Sequence, residues 1–221
     1  MELDMTAVLF SEMTPAPEWE GDFNDWYNTE HIPLRMGAPG FTSAQRYRAN
    51  EGPAYLAVYE METAGALKTP EYQVIKGQPG ERTKRMLSDV TGFTRYIGNE
   101  SGRWEKPESA SINAPVLYAV FFDVPADRAD DFDRWYTEDH IPLLMGCNDW
   151  LMVRRFNVVD GAPGKYTHLA LHYLASTDAL SSPEREAARA TPWRAKLATE
   201  SWFKGHYVVF NRLGTRFQAI A

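Results

Sequence analysis

Phe23-Asn-Asp-Trp-Tyr-Asn-Thr-Glu-His-Ile-Pro-Leu-Arg-Met-Gly37 returns as Phe132-Asp-Arg-Trp-Tyr-Thr-Glu-Asp-His-Ile-Pro-Leu-Leu-Met-Gly146. Trp, Tyr, His, Ile, Pro, Leu, Met and Gly keep their places at a constant offset of 109 positions, as from Phe23 to Phe132. Chance is a poor explanation for that agreement and duplication a good one, so each half is expected to fold alike.

Working outward, Thr6 to Met13 reads as a strand, and Pro15 and Pro17 mark a turn. The acidic, aromatic stretch from Glu18 to His31 has helical spacing, and Pro33 is expected to end that helix at Ile32. Strands follow at Phe41 to Arg48 and Tyr55 to Met61, then a polar helix from Pro70 to Leu87 and a strand at Phe93 to Gly98. The second half repeats the order with strand Val116 to Val124, helix Arg128 to His140, strands Trp150 to Val158 and Tyr166 to Leu174, helix Pro183 to Thr199 and strand Phe203 to Leu213. Its strand pair and second helix align at an offset of 113, as Pro70-Glu71 with Pro183-Glu184, which puts four extra residues in a loop that tolerates them. Asn99 to Ala114, with Gly102, Pro107, Ser109 and Ser111, shows no periodicity and reads as a junction.

The predicted class is therefore α+β: two tandem ferredoxin-like βαββαβ units, residues 1–100 and 115–221, joined by a linker at 101–114. Such a unit places both helices on one face of an antiparallel sheet and leaves the other bare. Packing the two sheets face to face would bury both bare faces and make an intrachain α+β barrel with an enclosed, strand-lined space.

Trp-Tyr-x-x-Glu-His-Ile-Pro-Leu, followed by a Gly, an aromatic and a strand with Arg before an aromatic, resembles the dimeric α+β barrel superfamily, particularly its EthD-like members. The resemblance spans nearly the whole chain, once per half, as in a dimer fused into one polypeptide. Members of that superfamily include cofactor-independent oxygenases and cyclases of aromatic polyketides, lactone isomerases, dehydratases, lyases and haem enzymes. The resemblance implies a pocket and leaves its chemistry open.

Composition bounds the partners. A net charge of −7 over 221 residues, without clustered Lys and Arg, argues against nucleic acid. The absence of a long apolar run and of a secretion signal argues for no membrane and a cytoplasmic address. A small-molecule substrate is the expected partner, and a homodimer is compatible with the exposed helices and edge strands of such units. Cys147 stands alone, opposite Ala38, which excludes an internal disulfide and a thiolate cluster.

Phe23, Trp26, Tyr27, Glu30 and His31 fall within roughly 140° of arc on one helix face, as do Phe132, Trp135, Tyr136, Asp139 and His140. His31 and His140 beside an acid read either as oriented bases or, because the cluster occurs twice, as a clamp of the fold. Arg46 and Arg155, repeated before an aromatic, could bind a substrate carboxylate, enolate or phenolate near Tyr27 and Tyr136, or neutralise Glu30 and Asp139.

The halves differ most in histidine: His31 stands against His140, His168, His172 and His206. On the third strands, Tyr55, Ala57, Tyr59 and Met61 share one face, and His168, Ala170, His172 and Leu174 share the matching one. With the aliphatic faces against helices, these Tyr and His side chains would meet between the sheets, suited to moving protons near neutral pH. His206, opposite Arg95 in the alignment, ranks below them as a substrate-binding residue. His168 and His172 stand about 13 Å apart on a strand, too far to share one ion, so neither a metal nor a cofactor is expected; nothing singles out an axial ligand for haem. The expected function is cofactor-independent acid–base chemistry on a small, largely apolar, aromatic or polyketide-like molecule, as in a lyase, isomerase, cyclase or dehydratase. The alternatives are a cofactor-free oxygenase of a phenol and a non-catalytic, ligand-binding or stress-associated barrel protein.

Overall fold

The computed structural model describes residues 6–107, 110–164 and 166–220. Ser109 of the expected junction lies outside them. The chain divides into two compact units: Met1–Glu100 with Val159–Gly164 and Leu213–Ala221, and Ser101–Val158 with Lys165–Arg212.

The first unit contains β1 (Ala7–Thr14), α1 (Glu20–Trp26), α2 (Ile32–Met36), β2 (Phe41–Ala49), β3 (Tyr55–Met61), α3 (Pro70–Gly77), α4 (Glu81–Asp89) and most of β4 (Thr91–Glu105). Its antiparallel strands run β4-β1-β3-β2, with Leu9 opposite both Tyr59 and Ile97. The outer side of β2 is flanked by the C-terminal end of the last strand, whose Ala219 amide donates to the Thr42 carbonyl. The second unit contains β5 (Val116–Phe122), α5 (Ala129–Arg134), α6 (Ile141–Met145), β6 (Trp150–Ala162), β7 (His168–Leu174), α7 (Pro183–Arg189), α8 (Pro192–Leu197) and the start of β8 (His206–Gln218). Its strands run β8-β5-β7-β6, with Tyr118 opposite both His172 and Val209, and the Ser101–Glu105 end of β4 lies beside β6. The class is α+β with antiparallel pairing, as expected.

Three local differences have physical causes. Ile-Pro does not end the first helix. A wide π turn at Tyr27–His31, closed by the Ile32 amide on the Tyr27 carbonyl five residues back, carries the chain into α2 with Pro33 inside it. A proline supplies no amide for the regular ladder, and the wide turn absorbs that loss. Trp135–His140 repeats the device before Pro142. Each expected second helix is two short ones: Pro79-Gly80 separates α3 from α4, and Ala190-Thr191 separates α7 from α8. Thr69, Ser182 and Thr191 cap α3, α7 and α8 through their hydroxyls, with a proline at each first helical position. The stretch expected as a junction is strand as far as Glu105, with Arg103 paired to Glu105.

Candidate active site

In both units the helices cover the Tyr and His face of the sheet. Tyr55, Ala57, Tyr59 and Met61 pack with Phe23, Trp26 and Tyr27; Ala170 and Leu174 pack with Phe132, Trp135 and Tyr136. The expectation that the aliphatic face meets the helices is thus reversed. Leu171 and Tyr173 on the opposite face are equally buried, so apolar content does not distinguish the two sides. On the helix side His172 meets a phenol and an indole, without which a buried imidazole costs several kcal/mol. The Tyr and His residues expected to meet between the sheets are instead engaged each within its own unit.

Between the sheet and the helices of the second unit lies a cavity of about 340 Å³. Phe122, Trp135, Leu144 and Trp150 give it apolar walls, while Tyr136, His140 and His172 supply the titratable groups. A volume of this order is at the lower end of the usual range for small-molecule sites.

His172 sits at the floor, 1% exposed. The Trp150 indole Nε1 donates to His172 Nδ1 at 3.1 Å, and His172 Nε2 lies 2.9 Å from the Tyr136 hydroxyl. An indole only donates, so Nδ1 is the acceptor nitrogen and the proton of the neutral ring sits on Nε2, pointing at Tyr136. Burial, then the neighbouring His140, Arg185 and Arg155, holds this imidazole well below its ordinary range, which keeps it neutral. Both nitrogens are committed. His172 is a donor that turns Tyr136, rather than the base expected on β7. The Tyr136 phenol, pushed up by burial, keeps its own proton as a donor.

His140 has the complementary arrangement. Its Nδ1 donates to the Ala188 carbonyl at 3.2 Å, and its ring lies tilted by 31° against Trp135 with centroids 4.8 Å apart. Burial lowers its pKa to about 4 against the opposing Ala188 bond. With Nδ1 protonated in the neutral ring, Nε2 carries a lone pair on a side chain that borders the cavity. Its neighbour Asp139 accepts from Thr191 at 2.6 Å, and in the first unit Arg82 pairs with Glu30 at 2.6 Å. These bonds replace the expected pairing of the acids with Arg155 and Arg46.

Those two arginines pin the helix of each unit to its sheet. Arg46, 1% exposed, donates to Asn28 at 2.9 Å and Asn24 at 2.7 Å and lies over the Tyr27 ring. Arg155 pairs with Asp133, donates to Thr137 at 3.2 Å and lies over the Tyr136 ring. Neither borders the cavity. His168 faces Asp133 at 3.6 Å and Thr167 at 2.8 Å, also away from it. In the first unit, His31 is buried between Trp26 and Tyr27, Tyr55 bonds Glu20, and Tyr59 packs on Phe41. His206 stacks on Tyr166 with rings 8° apart, on the face opposite its neighbour Tyr207. The strand register sets Tyr207 against Val120 as it sets Arg95 against Ser11, so the counterpart of Arg95 is Tyr207, and Tyr207 is the residue that borders the cavity.

Sequence reasoning missed Tyr207 and three cavity arginines, Arg185, Arg189 and Arg194. It also missed an orphan: the Trp135 indole N–H is buried without an acceptor among the described residues, whereas its counterpart Trp26 donates to Thr83 at 3.0 Å.

No family model and no curated protein matches the chain. Solved structures do match over nearly its full length. An anthrone oxidase-like protein is 12% identical with a TM-score of 0.70, covering 99% of this chain and 94% of its own. A candidate monooxygenase from Fusobacterium nucleatum is 9% identical at 0.61, covering 99% and 96%. A chlorite dismutase from Candidatus Nitrospira defluvii, solved with imidazole, is 9% identical at 0.61, covering 97% and 93%. Identities this low speak for architecture alone: the chain has the fold of the α+β barrel proteins.

Proposed function

We propose that the second-unit cavity is the active site of a cofactor-independent enzyme that moves a proton on a small aromatic or polyketide-like substrate. The observation that carries this reading is the opposed tautomers of two histidines around one phenol: His172 donates to Tyr136, while His140 keeps its Nε2 lone pair. His140 Nε2 takes a proton from a phenol or from a carbon next to a carbonyl. Tyr136, turned by His172, donates to the oxyanion that develops. The imidazolium formed at His140 is disfavoured by its burial, so it returns the proton within the cycle, either to another substrate atom, as in an isomerase, or to a departing group, as in a lyase or dehydratase. His172 is a positioning residue. The repeated Trp-Tyr and His-Ile-Pro segments support a further reading of the chain as a duplicated, EthD-like member of the superfamily.

The test is deuterium wash-in from heavy water at the carbon next to the carbonyl in a panel of aromatic ketones. Wild-type protein should exchange that position about 10²- to 10⁴-fold faster than His140→Ala, the usual contribution of a positioned base. Equal rates would remove His140 from the mechanism. A second reading, cofactor-free oxygenation, draws support from the anthrone oxidase-like and monooxygenase neighbours, since a deprotonated phenol is the electron-rich species that dioxygen oxidises. Oxygen uptake in step with turnover would favour it over isomerisation or elimination.

A further inference from the structure

We infer that the cavity selects a substrate carrying a carboxylate on its aromatic frame, and that Arg185, Arg189 and Arg194 bind this group at the rim while the ring enters toward Tyr136. This rests on the proposed active site and adds the substrate's charge to it. The three arginines border the cavity, and none makes an ion pair among the described residues, although most other arginines of the unit do. Backbone carbonyls hold two of them: Arg185 Nη1 donates to Leu180 at 2.6 Å and Arg194 Nη1 to Arg189 at 3.3 Å. A carbonyl orients a guanidinium without cancelling its charge, and Arg185 and Arg194 lie over the rings of Tyr118 and Phe203, contacts that also leave the charge uncancelled.

The grouping is unfavourable without a ligand. Burial and the charges of Arg189 and Arg185 together make the cation of Arg194 harder to hold. The equivalents in the first unit, at the offset of 113, are Tyr72, Lys76 and Glu81, which carry no net charge, and Tyr72 is 4% exposed and stacked on Phe41. One unit fills this place with a ring; the other surrounds a cavity with three cations. Arg189 and Tyr207 are exposed, whereas His172 and Tyr136 are buried, which places Arg189 at the mouth and the oxyanion donor at the floor.

The probes are 2-naphthoate and its neutral isostere 2-naphthamide, titrated against the intact protein by tryptophan fluorescence. Naphthoate should bind at least about tenfold more tightly, as charge-assisted hydrogen bonds require, with the preference shrinking at high salt. The R189Q/R194Q variant should bring the two probes within about twofold of each other. Equal affinities in wild-type protein, no naphthoate binding up to roughly 10 mM, or an undiminished preference in the folded double variant would overturn the proposal. The wild-type comparison decides the matter even where the double variant does not fold. A lost preference with rapid, His140-dependent exchange would sink the carboxylate site alone, and a firm preference with exchange indifferent to His140 would sink the acid–base reading alone.

Discussion

Replacing His140 by Asn is the sharpest perturbation this structure offers, because an Asn Nδ2 can keep the bond to the Ala188 carbonyl while removing the titrating ring. In the folded chain His140 titrates at about 4. Unfolded, it should titrate near 6.5, so between these values the unfolded chain binds the extra proton. The folded pKa is the depressed one. Stability is therefore fully present above about pH 6.5, falls as the pH drops toward 4, and levels off below that. A gap of about 2.5 units at 1.36 kcal/mol each makes the contribution roughly 3 kcal/mol, with a slope approaching 1.4 kcal/mol per pH unit near pH 5. Set against a total stability of about 5–15 kcal/mol, that is readily measured. Urea unfolding at pH 7.5, 6.5, 5.5 and 4.5 should show the wild type losing roughly 2–3 kcal/mol more than His140→Asn across the range. His168, also lowered by burial, adds the same acid loss to each protein and cancels in the difference. Parallel curves for the two proteins would refute the half-buried, neutral imidazole on which the base assignment depends.

Three further outcomes are expected. Tyr136→Phe should leave His172 Nε2–H without its acceptor and lower stability by about 1–3 kcal/mol in urea unfolding, and it should cut turnover of any identified substrate by about 10²- to 10³-fold; an unchanged midpoint would mean the hydroxyl was not bonded. Nitrogen NMR of His172 should show Nδ1 as the unprotonated nitrogen throughout pH 5–9, with Trp150→Phe permitting a mixture of tautomers; a single Nδ1-protonated form in the wild type would contradict the indole bond. Gly40→Ala should cost more than about 1 kcal/mol in thermal unfolding, since Gly40 has φ +83° and a Cβ there would stand 2.9 Å from that of Ala66; a neutral result would mean the turn relaxes freely.

Much of the architecture was legible because it follows from local periodicity. The alternation along Tyr55–Met61 and His168–Leu174 sorts the strand residues into two faces, and the spacing of Phe132, Trp135, Tyr136 and His140 brings these rings to one side of a helix. What alternation cannot say is which face the helices cover when both are buried, and that choice moved His172 from the expected space between sheets to the floor of a sheet–helix cavity. A one-residue difference in register, visible only in the pairing of β5 with β8, exchanged His206 for Tyr207. The arginines carry a signal in the sequence itself: comparison of 185, 189 and 194 with 72, 76 and 81 reveals the gain of charge. Ile-Pro misled because the penalty for a proline assumes a regular helical turn, and the chain widens the turn instead.

The shared ownership of the last strand limits how this protein can be taken apart. Residues 213–221 return to the first unit and shield the outer side of β2, where Arg216 reaches Ser43 and Ala219 reaches Thr42. A fragment cut at residue 114 would leave the amides and carbonyls along that side unpaired, and open margins of this kind recruit other chains. Such a half-gene product should precipitate or dimerise, whereas co-expression with the missing peptide should return it to solution. Any ancestor built from one half alone would have needed another copy to supply that closing segment.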